Sequence, residues 1–219
     1  MAEEYVQILI VHSLTLMVLL FTCNRHVNAT ESPPYAIVLS SQDLEIRLYR
    51  DSTWISAAVA GGTSFNNSTH DGFHRLYQYI HGGNENNARF KITTPTVTTV
   101  VTAAASSNAS SDYSVSMYMA SISRPIPMPS PQLNLQISNW KSRCVAVRRF
   151  SGFAGDDNVY TERSLLSISL AKSSILNGKT VSISEDKSSY SVAQYNASSH
   201  LSGRVNEVWI NVIPCPFRH

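Results

Sequence analysis

SFNNSTHDGFHRLYQYIHGGNENNARFKITTP, residues 64–95, is the stretch whose pattern decides the fold. It reads as one amphipathic helix, a glycine stop, a polar turn and a strand. Phe65, Phe73, Leu76 and Ile80 recur at helical spacing, with Tyr77 at the margin of the same arc. Ser64 stands where an N-cap is needed, and Gly82-Gly83 where a helix stops. Beyond the turn, Phe90, Ile92 and the threonines that follow favour extended backbone. A helix that is apolar along one side needs a sheet to cover.

The flanking chain supplies strands. Leu44-Glu45-Ile46-Arg47-Leu48-Tyr49-Arg50 alternates and predicts a strand with one buried face, after a Pro-containing lead-in over residues 30–43. Trp54 to Val59 is a second strand, ended by Gly61-Gly62. The strand opened at Arg89 runs to about Thr102, residues 103–112 form a small polar loop, and Tyr113 to Ala120 alternates again. The Pro-dense segment 123–131 can be neither a helix nor a central strand, and reads as an extended connector. After it the order repeats. Leu133 to Asn139 and Cys144 to Phe150 are strands, Val159 to Ala171 is a helix with Leu165, Leu166 and Leu170 on one side, and Tyr190 to Tyr195 and Glu207 to Val212 are the last strands. Each half, about 40–122 and 132–213, therefore reads strand, strand, helix, strand, strand. The expected fold is α+β: a distorted eight-stranded antiparallel β-barrel with two helices, built as a pseudo-twofold repeat. Trp54, Trp140 and Trp209 are expected in its core.

Residues 1–29 have a different character. Val6 to Cys23 is nearly all apolar, and Val27-Asn28-Ala29 offers small residues where a signal peptidase cuts. This predicts a cleaved secretory signal followed by a single domain over 30–219, with an uncleaved anchor as the rival. The n-region departs from the usual pattern: it carries Glu3 and Glu4 and no basic residue. Secretion, to the extracellular space or to a compartment such as the vacuole, is consistent with sequons at Asn66, Asn67, Asn108 and Asn196. It also allows Cys144 and Cys215 to pair, the alternative being two separate buried thiols. No stable membrane insertion is expected after cleavage. Charged residues are only 15% of the chain and the net charge is +2, with no basic run, so nucleic acid is not an expected partner.

His70, His74 and His81 fall within roughly 40° of one another on the helix, beside the apolar arc. A histidine there could give a bound metal a nitrogen ligand while Phe73 and Tyr77 cover a flat ligand; a solvated helix flank is the plainer reading. His70 and His74 also have the spacing of a helical metal pair, without obvious further ligands. Arg89 and Arg204 could pair with acidic groups of a ligand, or make ordinary exposed pairs. Asp156-Asp157 suits stabilisation of a helix N-terminus better than a catalytic carboxylate pair. No Gly-x-Ser-x-Gly, His-Glu-x-x-His or phosphate-loop motif is present, so no catalytic residue is assigned and a non-enzymatic role is expected.

Seven short pieces, in order, resemble the SOUL haem-binding family. They are Leu44 to Tyr49 with Trp54; Gly72-Phe73-x-x-Leu76-x-x-Tyr79-Ile80-x-Gly82-x-Asn84; Lys91 to Pro95; Pro125-x-Pro127; Arg149-Phe150-x-Gly152-Phe153; Tyr190-x-x-Ala193-x-Tyr195-Asn196; and Arg204-x-Asn206-Glu207-Val208-Trp209. The signal, sequons and added cysteines resemble the secreted branch that plants carry. The resemblance implies two helices on a distorted eight-stranded barrel, and binding of haem or a related tetrapyrrole in a shallow apolar groove. That groove runs along the first helix, with His70, Phe73, Tyr77 and Gln78, and along a loop at about Ala197 to Gly203, with His200. Among the candidates for the iron are His70 and His74. A module that keeps the fold without haem, serving structure or protein interaction, is the alternative. Two departures stand out. Leu48 occupies a position where some members have a histidine proposed to ligate iron, and Ala197-Ser198 replaces two prolines beside the Asn196 sequon.

Overall fold

A computed structural model describes residues 30–62, 64–102, 112–120, 125–173 and 183–215. The alternating stretches pair as antiparallel strands. In chain order the elements are β1 (Tyr35–Ser40), β2 (Glu45–Tyr49), β3 (Ser52–Val59), helix α1 (Phe65–Ile80), β4 (Thr96–Val101), β5 (Asp112–Met119), a 3-10 turn (Pro131–Leu133), β6 (Leu135–Trp140), β7 (Arg143–Ser151), helix α2 (Val159–Ser173), β8 (Ser184–Glu185), β9 (Ser189–Gln194) and β10 (Val205–Ile213). The sheet order is β1-β2-β7-β10-β9-β4-β5-β3-β6, with β8 on β10. Exchanging β2 with β6, β3 with β7, β4 with β9 and β5 with β10 reads the inner order backwards, so a pseudo-twofold passes between β4 and β9.

The eight expected strands and both helices are present, with the strand expected from Arg89 starting only at Thr96, and two short strands add to them. β1 arises within the expected lead-in, where Tyr35–Ser40 hydrogen-bonds along β2. β8 is two residues long. The hydrogen-bonded path ends at β1 and β6, so the sheet is a curled half-barrel. Of the Pro-dense segment, the described part is extended but tied down: Met128 and Pro127 carbonyls accept from Glu85 N (3.0 Å) and Tyr79 Oη (2.8 Å).

One face of the sheet carries both helices. Leu166 and Leu170 of α2 pack with Ile46, Ala146, Val208 and Ile210, while Leu76, Tyr79 and Ile80 of α1 pack with Ile55, Ala57, Val115 and Met117. Burying each of these larger side chains contributes roughly 1.5–3 kcal/mol. The opposite face holds Tyr49, Trp54, Val97, Val147 and Trp209. Among the described residues no helix lies over that cluster, and the sheet buries it by curling on itself. Trp140 completes it, stacked on Trp54 with centroids 4.0 Å apart, so all three tryptophans pack there.

Two expected helix faces are rotated. In α1, Tyr79 is fully buried, Phe73 only half-buried, and Tyr77 is 45% exposed. The sheet meets α1 along Phe65, Ser68, Gly72, Leu76 and Tyr79 because Gly72 allows close approach; a Cβ there would collide with Val115. In α2, Leu166 and Leu170 are buried but Leu165 is 37% exposed.

Ser64 caps α1 as expected, its Oγ accepting from Asn67 N at 3.1 Å. Asp156 also caps α1 rather than the helix that follows it: its carboxylate accepts from Phe65 N (2.6 Å) and Asn66 N (3.2 Å). A carboxylate there satisfies orphan N–H groups and faces the positive end of the helix. At the other end, Gly82 adopts φ 111°, Gly83 N donates to Gln78 O at 2.9 Å and Gly82 N to Tyr79 O at 3.1 Å, a Schellman stop. Cys144 and Cys215 form a disulfide with Cα atoms 5.3 Å apart, joining the start of β7 to the chain after β10.

Candidate functional site

The outward crest of α1 carries most of the expected site residues. Rows of residues three and four apart on the solvent side place His70, His74, Tyr77, Gln78 and His81 together, and each is exposed. The His70 and His74 rings are near-parallel, 13° apart with centroids at 6.5 Å. Gln78 Nε2 donates to His74 Nδ1 at 3.0 Å, and His81 Nδ1 lies 2.8 Å from the Tyr77 carbonyl. Tyr77 sits against His81 with ring centroids 3.9 Å apart. Phe73 lies at the border of the crest, 6.2 Å from Tyr77 and in contact with the core under α1.

Beside the N-terminal half of the crest runs an open groove of about 540 Å³, lined by Ala58, Val59, Ala60, His70, Asp71, His74 and Arg75. Arg75 closes its floor by donating to the carbonyls of Ala58 (2.7 Å), Asn134 (3.3 Å) and Leu133 (3.5 Å). The expected flank is thus open to solvent, but this groove is walled by polar groups as well as small apolar ones, because the aromatic residues of α1 lie on its other side.

His200 is not brought into the crest by any hydrogen bond or ring contact among the described residues. It lies exposed on the β9–β10 loop next to Leu201, which is 79% exposed. Arg204, considered above for a ligand's acidic groups or an exposed ion pair, is buried and bonded to backbone instead. It is 5% exposed and holds that loop from beneath, donating to Ala197 O (2.7 Å), His200 O (2.8 Å) and Asn196 O (3.4 Å) while stacking under Phe153. Arg89 is exposed and has no acidic partner among the described residues. Leu48 packs against the α2 cluster.

Of the sequons, Asn66 and Asn67 are exposed in the first turn of α1. Asn196 is half-buried, its Oδ1 accepting from Val205 N at 2.7 Å, and Asn108 lies outside the described residues, as do residues 1–29. Among the described residues no helix is long and apolar enough to cross a membrane, and no group of three or more His, Cys, Asp or Glu is placed to hold a metal ion.

A second concentration of charge is buried on the face away from the helices. Arg47 reaches across β7 to Glu207 in β10, making two bonds of 2.9 Å, and both residues are 1% exposed. Glu207 also accepts from Tyr195 Oη (2.8 Å), Trp209 Nε1 (2.9 Å) and Arg149 (3.3 Å). Burial alone would raise the Glu207 carboxyl, but the bonds and charge of Arg47, with Trp209 and Tyr195, hold it below the usual range. Burial drives the Tyr195 and Tyr49 hydroxyls well up, and the Glu207 charge adds to both. With Glu207 saturated by donors, the cluster acts as a structural tie. Sequence reasoning missed it because Arg47 sits on the polar side of an alternating strand. The available signal was Asn206-Glu207 set inside an otherwise apolar final strand.

A pseudo-symmetric α+β half-barrel with an open, imidazole-rich helix crest is the class that the fold and the site define. The chain belongs to the SOUL heme-binding protein family, whose model matches residues 30–211. It is 29% identical over 167 residues to heme-binding protein 2 of Mus musculus and 30% identical over 168 residues to heme-binding protein 2 of Homo sapiens, with 76% of each chain covered in both cases. The EcmrR C-terminal domain shares the fold, with a TM-score of 0.51 at 8% identity over 81% of this chain and 97% of that one.

Proposed function

We propose that this protein binds haem or a related tetrapyrrole on the exposed side of α1, without catalysing a reaction of its own. The observation that carries the reading is the crest, where exposed imidazoles and Tyr77 stand together on one rigid helix beside an open groove. The residues present fit such a group at the surface: neutral imidazole is a nitrogen ligand for iron, the flat Tyr77 ring can cover a porphyrin, and small Ala58 and Ala60 permit close approach. Bound haem would supply an iron centre that accepts a nitrogen ligand. Phe73, Gln78 and the His200 loop would border the ligand, and Arg89 could pair with a propionate.

Titration of the protein with haemin tests this. A Soret shift saturating at one equivalent is expected, weakened about tenfold or more when the crest is stripped by combined alanine substitution of His70, His74, Tyr77 and His81. An unchanged spectrum would leave the second reading, a protein-interaction module, which the polar walls of the groove at Asp71 and Arg75 favour.

The same reading includes secretion after cleavage of residues 1–29. The Cys144–Cys215 disulfide and the exposed Asn66 and Asn67 support it, since disulfides persist in oxidising compartments. Expression in a secretory host is expected to yield a glycosidase-sensitive protein beginning at about Thr30 in the medium or vacuole. Retention of Met1 on an unglycosylated cytosolic product would refute it.

A further inference from the structure

We infer that the nitrogen donor for the iron is Nε2 of His81, with Arg89 beside it taking a propionate. The inference rests on the tetrapyrrole reading and moves the centre of the site to the C-terminal end of α1.

The hydrogen bonds of the crest separate its histidines. A carbonyl oxygen only accepts, so the 2.8 Å contact between His81 Nδ1 and Tyr77 O makes Nδ1 the donor, and in the neutral ring the lone pair is then on Nε2. His74 has the opposite arrangement: its Nδ1 accepts from Gln78 Nε2, so in the neutral ring the proton resides on Nε2. His70 is held loosely, its side chain 82% exposed and its Nδ1 3.5 Å from Asp71 Oδ1. Metal-bound histidines commonly donate their second N–H to a backbone carbonyl, which sets both tautomer and ring direction. Among the crest histidines, His81 alone shows that arrangement.

Two further features favour His81. Its ring is already ordered against Tyr77, at 3.9 Å and 30° between planes, so binding need not freeze a free side chain. It is also the C-cap of α1, where the negative end of the helix favours the positive charge of ferric iron. Arg89 faces it across an antiparallel bridge, exposed and without an acidic partner among the described residues. Paired residues across such a bridge have neighbouring side chains, so an iron held by His81 would bring a porphyrin edge toward that guanidinium.

Haemin titration of the full protein and of His81→Ala, His81→Phe, Arg89→Gln and the double variant His70→Ala/His74→Ala tests the assignment. His81→Phe keeps a ring on Tyr77 but has no nitrogen, so it separates ligation from packing. Both His81 variants are expected to lose the imidazole-ligated Soret band and about tenfold or more in affinity, whereas the double variant loses less affinity than either and retains that band. Arg89→Gln is expected to weaken haemin about threefold but not haem dimethyl ester, which lacks the carboxylates. In the unliganded protein, nitrogen NMR should report the Nδ1–H tautomer for His81. Haemin binding that survives in His81→Phe but fails in the double variant would overturn the assignment and leave the tetrapyrrole reading standing. No haemin binding by wild type would overturn both.

Discussion

Replacing Glu207 with alanine is expected to lower the unfolding free energy by about 3–5 kcal/mol, the range for breaking a buried ion pair. The loss follows from what would remain. Arg47 is 1% exposed and would keep its charge with no carboxylate but that of the half-buried Glu45, at 2.7 Å. Tyr195 and Trp209 would lose the carboxylate that their hydroxyl and indole N–H donate to. Each unsatisfied buried donor adds roughly 1–3 kcal/mol on general grounds, although such terms do not sum simply. The double replacement Arg47→Met/Glu207→Leu is expected to regain part of the loss, since it removes both charges but still orphans the two aromatic donors. Urea midpoints for the three proteins measure this. A single-variant loss below about 1 kcal/mol would mean that water reaches the cluster.

The same pair sets an acid dependence. The folded-state pKa of Glu207 is depressed, so its contribution is fully present above the unfolded carboxyl value of about 4.3 and is lost as pH falls through the folded value. The gap between wild type and Glu207→Ala should therefore be constant at neutral pH and narrow in the acid range below about 4. A gap that widened with falling pH would contradict the direction of the shift.

Removing the disulfide is the other large effect. Cys144 and Cys215 are 71 residues apart, and closing a loop of that length stabilises by about 4 kcal/mol in the chain-entropy model. Cys144 is also 2% exposed in the cluster beneath α2, against which Cys215 packs. The variant Cys144→Ala/Cys215→Ala is expected to melt about 8–16 °C below wild type, because each kcal/mol corresponds to about 2–4 °C for a domain of this size. Calorimetry with and without reductant checks it. Equal melting temperatures, with free thiols titratable in the unreduced and unfolded protein, would show that the bridge does not form in solution.

The resemblance visible in seven short pieces led to the family, and the doubled order of elements led to a distorted barrel, which the structure shows as a curled half-barrel. Local chemistry was also readable: Ser64 caps α1 and Gly82-Gly83 ends it, because caps and stops depend on a few neighbouring residues. The helix faces were less accurate. Phe73 and Tyr77 belong to the apolar pattern of residues 64–80, yet Tyr79 occupies the core. Three aromatic residues competed for one face, and close approach at Gly72 settled which turned inward. The histidines could be gathered onto one side of the helix from spacing alone. Which of them has an oriented ring and a bare nitrogen depends on the carbonyl of Tyr77 and the amide of Gln78.

Strand and helix identity was therefore determined by the sequence itself, since periods of 2 and 3.6 residues are properties of neighbouring positions. The partners were not. Asp156 caps a helix 91 residues earlier in the chain, and Arg47 meets Glu207 across 160 residues. Only the tertiary structure decided those contacts, along with the burial of both sides of β2. Strand order and the curl of the sheet bring distant segments together, and no local pattern encodes which charge will be sealed inside.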